Sequence, residues 1–450
     1  MGAGKTTIGK KVARLTERPF FDLDEEIEKR HGPIAKFFEE RGEAEFRGIE
    51  EEAAREFLRG HEPHVIALGG GAVISVETRA ELGRRAFTVW IDVDVGHAWA
   101  RVRETNRPLA QDEVSFRNLF QDRQELYREF GMPARDVEDV LLAALGISLV
   151  AASDEVTFRP GAVVADENVL RLHPLDLPSP APSIHPVAPG ESAKSLEMAG
   201  RLWDDLSIDR SGPLLAYGGG TTTDLAGFVA ATYLRGLPWI AQPTTLVGQV
   251  DAAIGGKTGI DLEKGKNLVG SFHYPELVVI DSSVLATLPK HERRNGMAEV
   301  VKTGLLSGRP AWELAEREMI RACAAFKAAV CISDPYEQTG RRSILNLGHT
   351  FAHALEAASD YELAHGEAVA LGLLAALRLS GMETDVVEEL LRPEPARVDP
   401  ERAWAAMQRD KKALAGRIRL VLLEGPGKPV FPVELPDAEV RRELERLIAK

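Results

Sequence analysis

Leu214-Leu-Ala-Tyr-Gly-Gly-Gly-Thr-Thr-Thr-Asp-Leu-Ala-Gly-Phe228 runs from a short apolar strand into three glycines, then hydroxyls, then an apolar helical stretch, Leu225 to Tyr233. Glycines at a strand-to-helix turn let a pyrophosphate approach backbone N–H groups where the helix dipole favours negative charge. Thr221 to Thr223, with Thr244 and Thr245 in Gln242-Pro-Thr-Thr-Leu246, add donors without bulk. Alone, three glycines also fit a tight turn closing a βα unit. A second cluster, Asp251-Ala-Ala-Ile-Gly-Gly-Lys257-Thr-Gly-Ile-Asp261, brings a carboxylate and an ammonium to the same neighbourhood and favours the phosphate-binding reading.

The remaining composition bounds the function. At 450 residues the chain holds two to four domains, and its 44% apolar content is that of a globular protein. A net charge of −14 argues against a nucleic-acid face, so acidic substrates require local basic pockets. Two cysteines, Cys323 and Cys331, make no disulfide framework and point to a reducing cytoplasm. No apolar run approaches the roughly 18 residues of a membrane helix; Ala368 to Leu377 reads as a short core helix.

Toward the C-terminus the composition turns helical from about Ser283. Gly296-Met-Ala-Glu299-Val-Val-Lys302 sets a carboxylate and an ammonium on one helix face. Asn346-Leu-Gly-His349-Thr-Phe-Ala-His353 puts two histidines roughly 40° apart round a helix, and His365-Gly-Glu367 opens another. One Glu and two or three His converging from separate helices suit a divalent metal through N and O ligands. Spacing alone pairs His349 with His353.

The N-terminal segment carries a different set. Gly2-Ala-Gly4-Lys5-Thr6-Thr7 is the end of a phosphate loop whose lysine reaches phosphate oxygens and whose hydroxyl holds Mg²⁺. The first glycine of that pattern and its feeding strand would lie before Met1, and the expectation is that the true start lies upstream. Phe20-Phe-Asp22-Leu-Asp24 offers two carboxylates at a strand end, and Arg47 offers a fork for a carboxylate. Val65 to Leu68 leads into Gly69-Gly70-Gly71, and Val89 to Val93 reads as a strand. Asn106-Arg107-Pro-Leu109 has the character of a lid, and Arg123 to Tyr127 lies on a helix. Between the two halves, Val163 to Leu170 reads as a strand ending in a polar turn, and Leu175 to Pro189 as a proline-rich loop.

Residues 1–150 resemble shikimate kinase in the order of these motifs. The resemblance implies a P-loop α/β fold, truncated at its N-terminus, that transfers the ATP γ-phosphate to shikimate. By it, Gly2, Gly4, Lys5, Thr6, Thr7 and Arg107 serve ATP, and Thr6 and Asp22 serve Mg²⁺. Asp24 orients or deprotonates the hydroxyl. Arg47, Gly70, Gly71 and Arg123 hold shikimate beside it.

Tyr217 to Gly227, Pro243 to Asp261, Gly265 to Gly270, Gly296 to Lys302, Asn346 to His353, His365 to Ala368 and Asp410-Lys-Lys412 together resemble 3-dehydroquinate synthase. That implies a Rossmann-type NAD domain, 151–285, and an all-α metal- and substrate-binding domain, 286–450. The resemblance gives Glu299, His349 and His365 to Zn²⁺ (or Co²⁺) and turns His353 to the substrate phosphate. Glu191, Lys194, Gly219, Gly220, Asp224, Thr244, Thr245, Lys257 and Lys266 would serve NAD. Asp251 would meet substrate hydroxyls, and Lys257, Lys302, Asn267, Arg342, Lys327 and Lys412 would meet its phosphate and carboxylate. Arg235 would reach the neighbouring site of a homodimer formed through the synthase half. Ala352, where the family usually has Gly, and an apparent inserted residue between Lys327 and Arg342 depart from the pattern, as does the short stretch from Gly146 to Val164.

Together these imply a bifunctional shikimate-pathway enzyme that acts on shikimate and on a seven-carbon keto-acid phosphate. The alternative is another sugar-phosphate cyclase, or a metal-dependent polyol dehydrogenase, with a non-catalytic kinase-like module. Basic residues in number suit an anionic substrate better than a neutral polyol.

Overall fold

The computed structural model describes residues 2–60, 62–103, 112–150, 158–413 and 417–449, with the backbone alone for 410–413. The chain divides into two compact units, Met1–Ala144 and Leu145–Lys450.

In the first unit, Gly4 takes a left-handed φ of 88° and caps α1 (Lys5–Leu15), so the helix opens on free N–H groups. β1 (Phe20–Asp22) leads straight into α2 (Leu23–His31), because Asp22 accepts from Asp24 N at 3.1 Å. Asp24, Glu25 and Glu26 fill the first turn of α2 and Lys29, Arg30 and His31 the last, which complements its dipole. α3 (Ile34–Leu58) bends at Gly42, whose φ is 82°. It packs on α2 around Leu23, Ile27, Phe37, Phe46 and Ala54. β2 (Val65–Ala67) pairs parallel with β1. α4 (Val76–Arg85), β3 (Val89–Ile91), α5 (Val95–Val102), α6 (Glu113–Phe130), β4 (Met132–Ala134) and α7 (Val137–Ala144) complete the unit, β4 lying parallel to β3. The expected lid, 106–109, lies outside the described residues.

The second unit begins earlier than residue 151. β5 (Ile147–Val150) pairs parallel with β12 (Leu277–Asp281), so this strand belongs to the following sheet and not to the N-terminal segment. The sheet runs β5-β12-β9-β8-β6-β7, with every described pairing parallel. Its other members are β6 (Ala162–Asp166), β7 (Ser183–Val187), β8 (Leu214–Gly218) and β9 (Trp239–Pro243). The strand read over 163–170 stops at Asp166. The Asp166 carboxylate caps α8 (Glu167–Leu172) by accepting from Asn168 N and Val169 N. The proline-rich 175–189 is not wholly loop: β7 is an edge strand, where Pro186 costs no ladder bond on the open side. β8 and β9 are buried along their whole length, as parallel strands covered on both faces require. α9 (Leu196–Asp205) and α10 (Gly220–Thr232), buried over most of its length, pack on it.

One π-helical turn, 248–252, carries Asp251. The hairpin β10 (Lys257–Leu262) and β11 (Gly265–Phe272) follows it. Helices then dominate: α11 (Lys290–Ser307), α12 (Glu316–Ser333), α13 (His349–Ala358), α14 (His365–Leu379), α15 (Asp385–Leu390), α16 (Pro400–Ala413) and α17 (Asp437–Arg446). This helical part also carries a two-stranded hairpin, β13 (Leu420–Leu423) with β14 (Pro429–Val433). One continuous core runs through it, built from faces of α11, α13 and α14 with the inner side of that hairpin. The core helix expected over 368–377 is the middle of α14, buried throughout that span. Among the described residues no helix is long and apolar enough to cross a membrane.

Candidate active sites

Three helices of the second unit meet at one point. Glu299, 1% exposed, lies midway along α11; His349 and His365 are the first residues of α13 and α14. One donor atom from each lies within 4.8 Å of the others. His365 Nε2 is 3.3 Å and His349 Nε2 3.5 Å from the same oxygen, Glu299 Oε1. Glycines bring the backbones this close. Gly348, with φ 79°, turns the chain into α13, and a Cβ built on Gly372 of α14 would fall 2.1 Å from its carbonyl oxygen. A Cβ on Gly366, beside His365, would fall 2.2 Å from Asn295 Cα, one turn before Glu299 on α11.

A carboxylate and two imidazoles are the donor set that Zn²⁺ or Co²⁺ takes, so the residues fit such an ion. His353, four residues past His349, is exposed and sets its ring edge-on to His349 at 5.5 Å between centroids. Burial pushes the Glu299 carboxyl up, but the Lys302 charge and the two imidazoles outweigh it and hold it well below the ordinary value.

A chain of alternating charges leads away from Glu299. Buried Lys302 contacts Glu299 and lies 3.1 Å from Asp251 Oδ2. Lys327 Nζ contacts Asp251 Oδ1 and donates to the Asp251 carbonyl oxygen at 2.7 Å. Arg342, 2% exposed, is fixed by donating to Gly255 O at 2.7 Å and Pro335 O at 3.1 Å. Lys257 is half exposed and pairs with Glu337 at 2.7 Å, a partner that its sequence context did not single out. Arg235 is exposed on a turn where Leu234, Arg235 and Gly236 all have positive φ. The Lys412 side chain and Arg107 lie outside the described residues.

The triple-glycine turn stands against the segment carrying Thr244 and Thr245. Thr244 N donates to Gly218 O at 2.9 Å, and a Cβ on Gly219 would meet Thr245 Cγ2 at 3.0 Å. Gly220 opens α10 and is equally close to Ala252. Beside it, Lys194 Nζ, 4% exposed, donates to Asp224 Oδ2 at 2.6 Å and Asn267 Oδ1 at 2.5 Å. Glu191 accepts from Thr221 Oγ1 at 3.2 Å and lies 3.8 Å from both Lys194 and Lys266. Asp261, not singled out from sequence, accepts from Asn267 N at 2.7 Å and holds that residue at a φ of 56°.

In the first unit, Lys5 Nζ lies 3.4 Å from Asp24 Oδ2, and Thr6 Oγ1 donates to Asp22 Oδ2 at 2.5 Å. Thr7, on the next position of α1, is exposed. Arg47 is gripped by Glu43 at 2.7 Å and Glu50 at 2.5 Å. A Cβ on Gly71 would collide with the Arg47 guanidinium, and one on Gly69 with the carboxylates of Glu50 and Asp24. Arg123 is 6% exposed, and Tyr127 Oη donates to Gly70 O at 2.7 Å. Glu50 and the Tyr127 hydrogen bond were not foreseen; a Glu among Glu50-Glu-Glu52 reads as solvated helix surface.

Comparison with known proteins follows these boundaries. Residues 1–139 match the family model for shikimate kinase. Residues 184–295 and 296–413 match those for the N-terminal and C-terminal parts of 3-dehydroquinate synthase. A 3-dehydroquinate synthase of Salinibacter ruber is 42% identical over 283 residues, which is 56% of this chain and 77% of that one. The solved ValA (2-epi-5-epi-valiolone synthase) of Streptomyces hygroscopicus, with NAD⁺ and Zn²⁺ bound, is 28% identical. That match has a TM-score of 0.55 and covers 67% of this chain and 96% of that one. A 2-deoxy-scyllo-inosose synthase shares the fold at 23% identity and TM-score 0.59, over 67% of this chain and 96% of that one.

Fold and sequence therefore define, for residues 145–450, a synthase built as a Rossmann-type sheet joined to a helical unit. The chain belongs to the 3-dehydroquinate synthase family and carries a shikimate kinase domain ahead of it, which makes it a bifunctional shikimate-pathway enzyme.

Proposed function

We propose that residues 145–450 convert 3-deoxy-D-arabino-heptulosonate 7-phosphate to 3-dehydroquinate with release of phosphate, and that residues 1–144 phosphorylate shikimate from ATP. One observation carries the synthase reading: Glu299, His349 and His365 converge within 4.8 Å at the end of the Lys302–Asp251–Lys327 charge chain. When bound, NAD⁺ would supply reversible hydride transfer at a substrate alcohol, and a divalent ion held by Glu299, His349 and His365 would polarise the neighbouring oxygens. Gly219, Gly220, Thr244 and Thr245 leave room for the dinucleotide, and Glu191, Lys194 and Asp224 line its edge. Asp251 accepts from a substrate hydroxyl. Lys302, Lys327, Arg342 and Lys412 neutralise the phosphate and carboxylate, and Asn267 and His353 hydrogen-bond to them. Lys257 is assigned to the same anionic end or to the dinucleotide, Lys266 to the dinucleotide, and Arg235 to a partner subunit's site in a homodimer.

In the kinase unit, Asp24 accepts the proton of the shikimate hydroxyl while Lys5, Thr6 and Asp22 hold ATP and Mg²⁺. Gly2, Gly4 and Thr7 shape the loop, and Arg107 meets the transferred phosphate. Arg47, Arg123, Gly70 and Gly71 hold the acceptor. Two cysteines buried as free thiols suit a cytoplasmic enzyme.

The test is inorganic phosphate release from the seven-carbon substrate by purified protein with NAD⁺ and Zn²⁺ or Co²⁺. Release that stops on chelation and returns with metal supports the reading; no release with any of these metals ends it.

A further inference from the structure

We infer that Glu356 is a positioning residue that orients the imidazole of His365 toward the Glu299–His349 pair. The inference rests on reading that trio as a metal site. The two imidazoles present the same edge to Glu299 Oε1 through Nε2, and each has its Nδ1 occupied by a different anchor. His349 Nδ1 lies 3.2 Å from the carbonyl oxygen of Leu347. A carbonyl can only accept, so that nitrogen carries a proton and Nε2 is the one left to offer a lone pair to an ion. His365 Nδ1 lies 3.1 Å from Glu356 Oε1, and an ionised carboxylate imposes the same tautomer.

The need for the second anchor follows from exposure. The His349 side chain is 10% exposed and is held by packing as well as by Leu347. The His365 side chain is 40% exposed, at the first position of α14. Its ring is therefore free to turn unless something holds its far edge. Glu356, with a 7% exposed side chain, does this from α13, two turns beyond His349 on the same helix. One helix thus supplies a donor and also the support for the donor on its neighbour. A carboxylate behind a ligating imidazole fixes ring and tautomer and raises ligand basicity, and its loss typically weakens metal binding about 10–100-fold.

The experiment measures Zn²⁺ affinity of metal-stripped full-length protein by competition with a chromophoric chelator, and the visible absorption of the Co²⁺ form. Glu356→Gln keeps shape and one acceptor but no charge; Glu356→Leu keeps neither acceptor nor charge. The expected order of affinity is wild type, then Gln, then Leu, with Leu weaker by about 10–100-fold and its Co²⁺ bands altered. Thermal unfolding of the metal-stripped variants separates this from a folding defect, since Gln should unfold within a degree or two of wild type while already binding more weakly. Both variants binding Zn²⁺ within twofold of wild type, with unchanged Co²⁺ bands, would overturn the role of Glu356 alone. Wild type taking up no Zn²⁺ would overturn the metal reading as well.

Discussion

Replacing Gly366 by Ala should cost the protein its metal before it costs the fold. The added Cβ would lie 2.2 Å from Asn295 Cα, 2.8 Å from its carbonyl carbon and 2.6 Å from its oxygen, all backbone atoms of α11 that cannot rotate aside. Carbon atoms pack at about 3.5–4.0 Å, so α14 must move off α11 by about 1.3 Å or more. The movement falls next to His365. It carries the 3.3 Å approach of His365 Nε2 to Glu299 Oε1 toward about 4.6 Å, against a tolerance of about 0.2 Å in metal–ligand distance. Loss of one donor from three predicts a drop in Zn²⁺ affinity of roughly 100-fold or more, about 2.8 kcal/mol. The intrinsic effect of Gly→Ala inside a helix has the opposite sign, about 1 kcal/mol stabilising, and overpacking costs about 1–3 kcal/mol, so the metal-free variant should still fold. Gly200→Ala on α9, where a Cβ meets nothing within 4 Å, is the control and should leave metal binding untouched. If Gly366→Ala bound Zn²⁺ like wild type with the same Co²⁺ spectrum, helix spacing would not be what sets the trio.

Glu299→Gln should abolish phosphate release from the seven-carbon substrate while shikimate phosphorylation continues, since the two compact units divide at Ala144; a parallel loss of both activities would refute this. Asp251→Asn leaves Lys302 and Lys327 without their shared carboxylate and should destabilise the synthase unit by about 3–5 kcal/mol, partly regained on adding inorganic phosphate. No shift in its unfolding transition would show that these ammoniums are neutralised elsewhere. Tyr127→Phe removes the donor to Gly70 O, worth about 1 kcal/mol, and should raise the KM for shikimate about fivefold with little change in kcat; an unchanged KM refutes it. Burial pushes the Cys323 thiol up to about 12, and both cysteines are fully buried, so a thiol reagent at pH 8 should find neither until the protein unfolds.

Much of this architecture could be read from letters because glycine reports on backbone. The stretch 218–220 marked a strand-to-helix turn, since few other residues permit such close approach, and β8 and α10 meet there. Strands were harder where they lie at an edge. Ser183–Val187 carries a proline and polar residues and looked like loop, because an edge strand needs only one bonded side. Asp166 looked like part of a polar turn, yet it begins a helix by capping it. Ile147–Val150 was read with the segment before it because sheet membership is a long-range property; its partner, β12, lies more than a hundred residues on. At the site, the chemistry of Glu299, His349 and His365 was nameable, but their distances were not. Spacing preferred His353 as the second imidazole, whereas α14 brings His365 to Glu299. Glu50, Glu356 and Asp261 carried no signal, because a glutamate or aspartate in a polar or mixed segment is usually solvated; only the fold buries Glu50 beside Arg47 and Glu356 beside His365, and sets Asp261 against Asn267 N.

The carboxylates that pair with the site's cations follow from one electrostatic requirement. An acidic chain that handles multiply charged anions must gather cations locally, and each buried cation must find a carboxylate or carbonyl partner while the substrate is away. Lys302 and Lys327 share Asp251, Lys194 uses Asp224, Lys257 uses Glu337 and Arg47 uses Glu50. In each case at least one acidic partner is fixed by a helix, a π-helical turn or a left-handed residue, so it cannot follow the cation outward. An arriving phosphate or carboxylate then competes for charge already desolvated and aimed, which is less costly than ordering free lysines on binding. On this view the acidic partners belong to the binding site as much as the bases do, and neutralising one of them should alter substrate affinity and fold stability together.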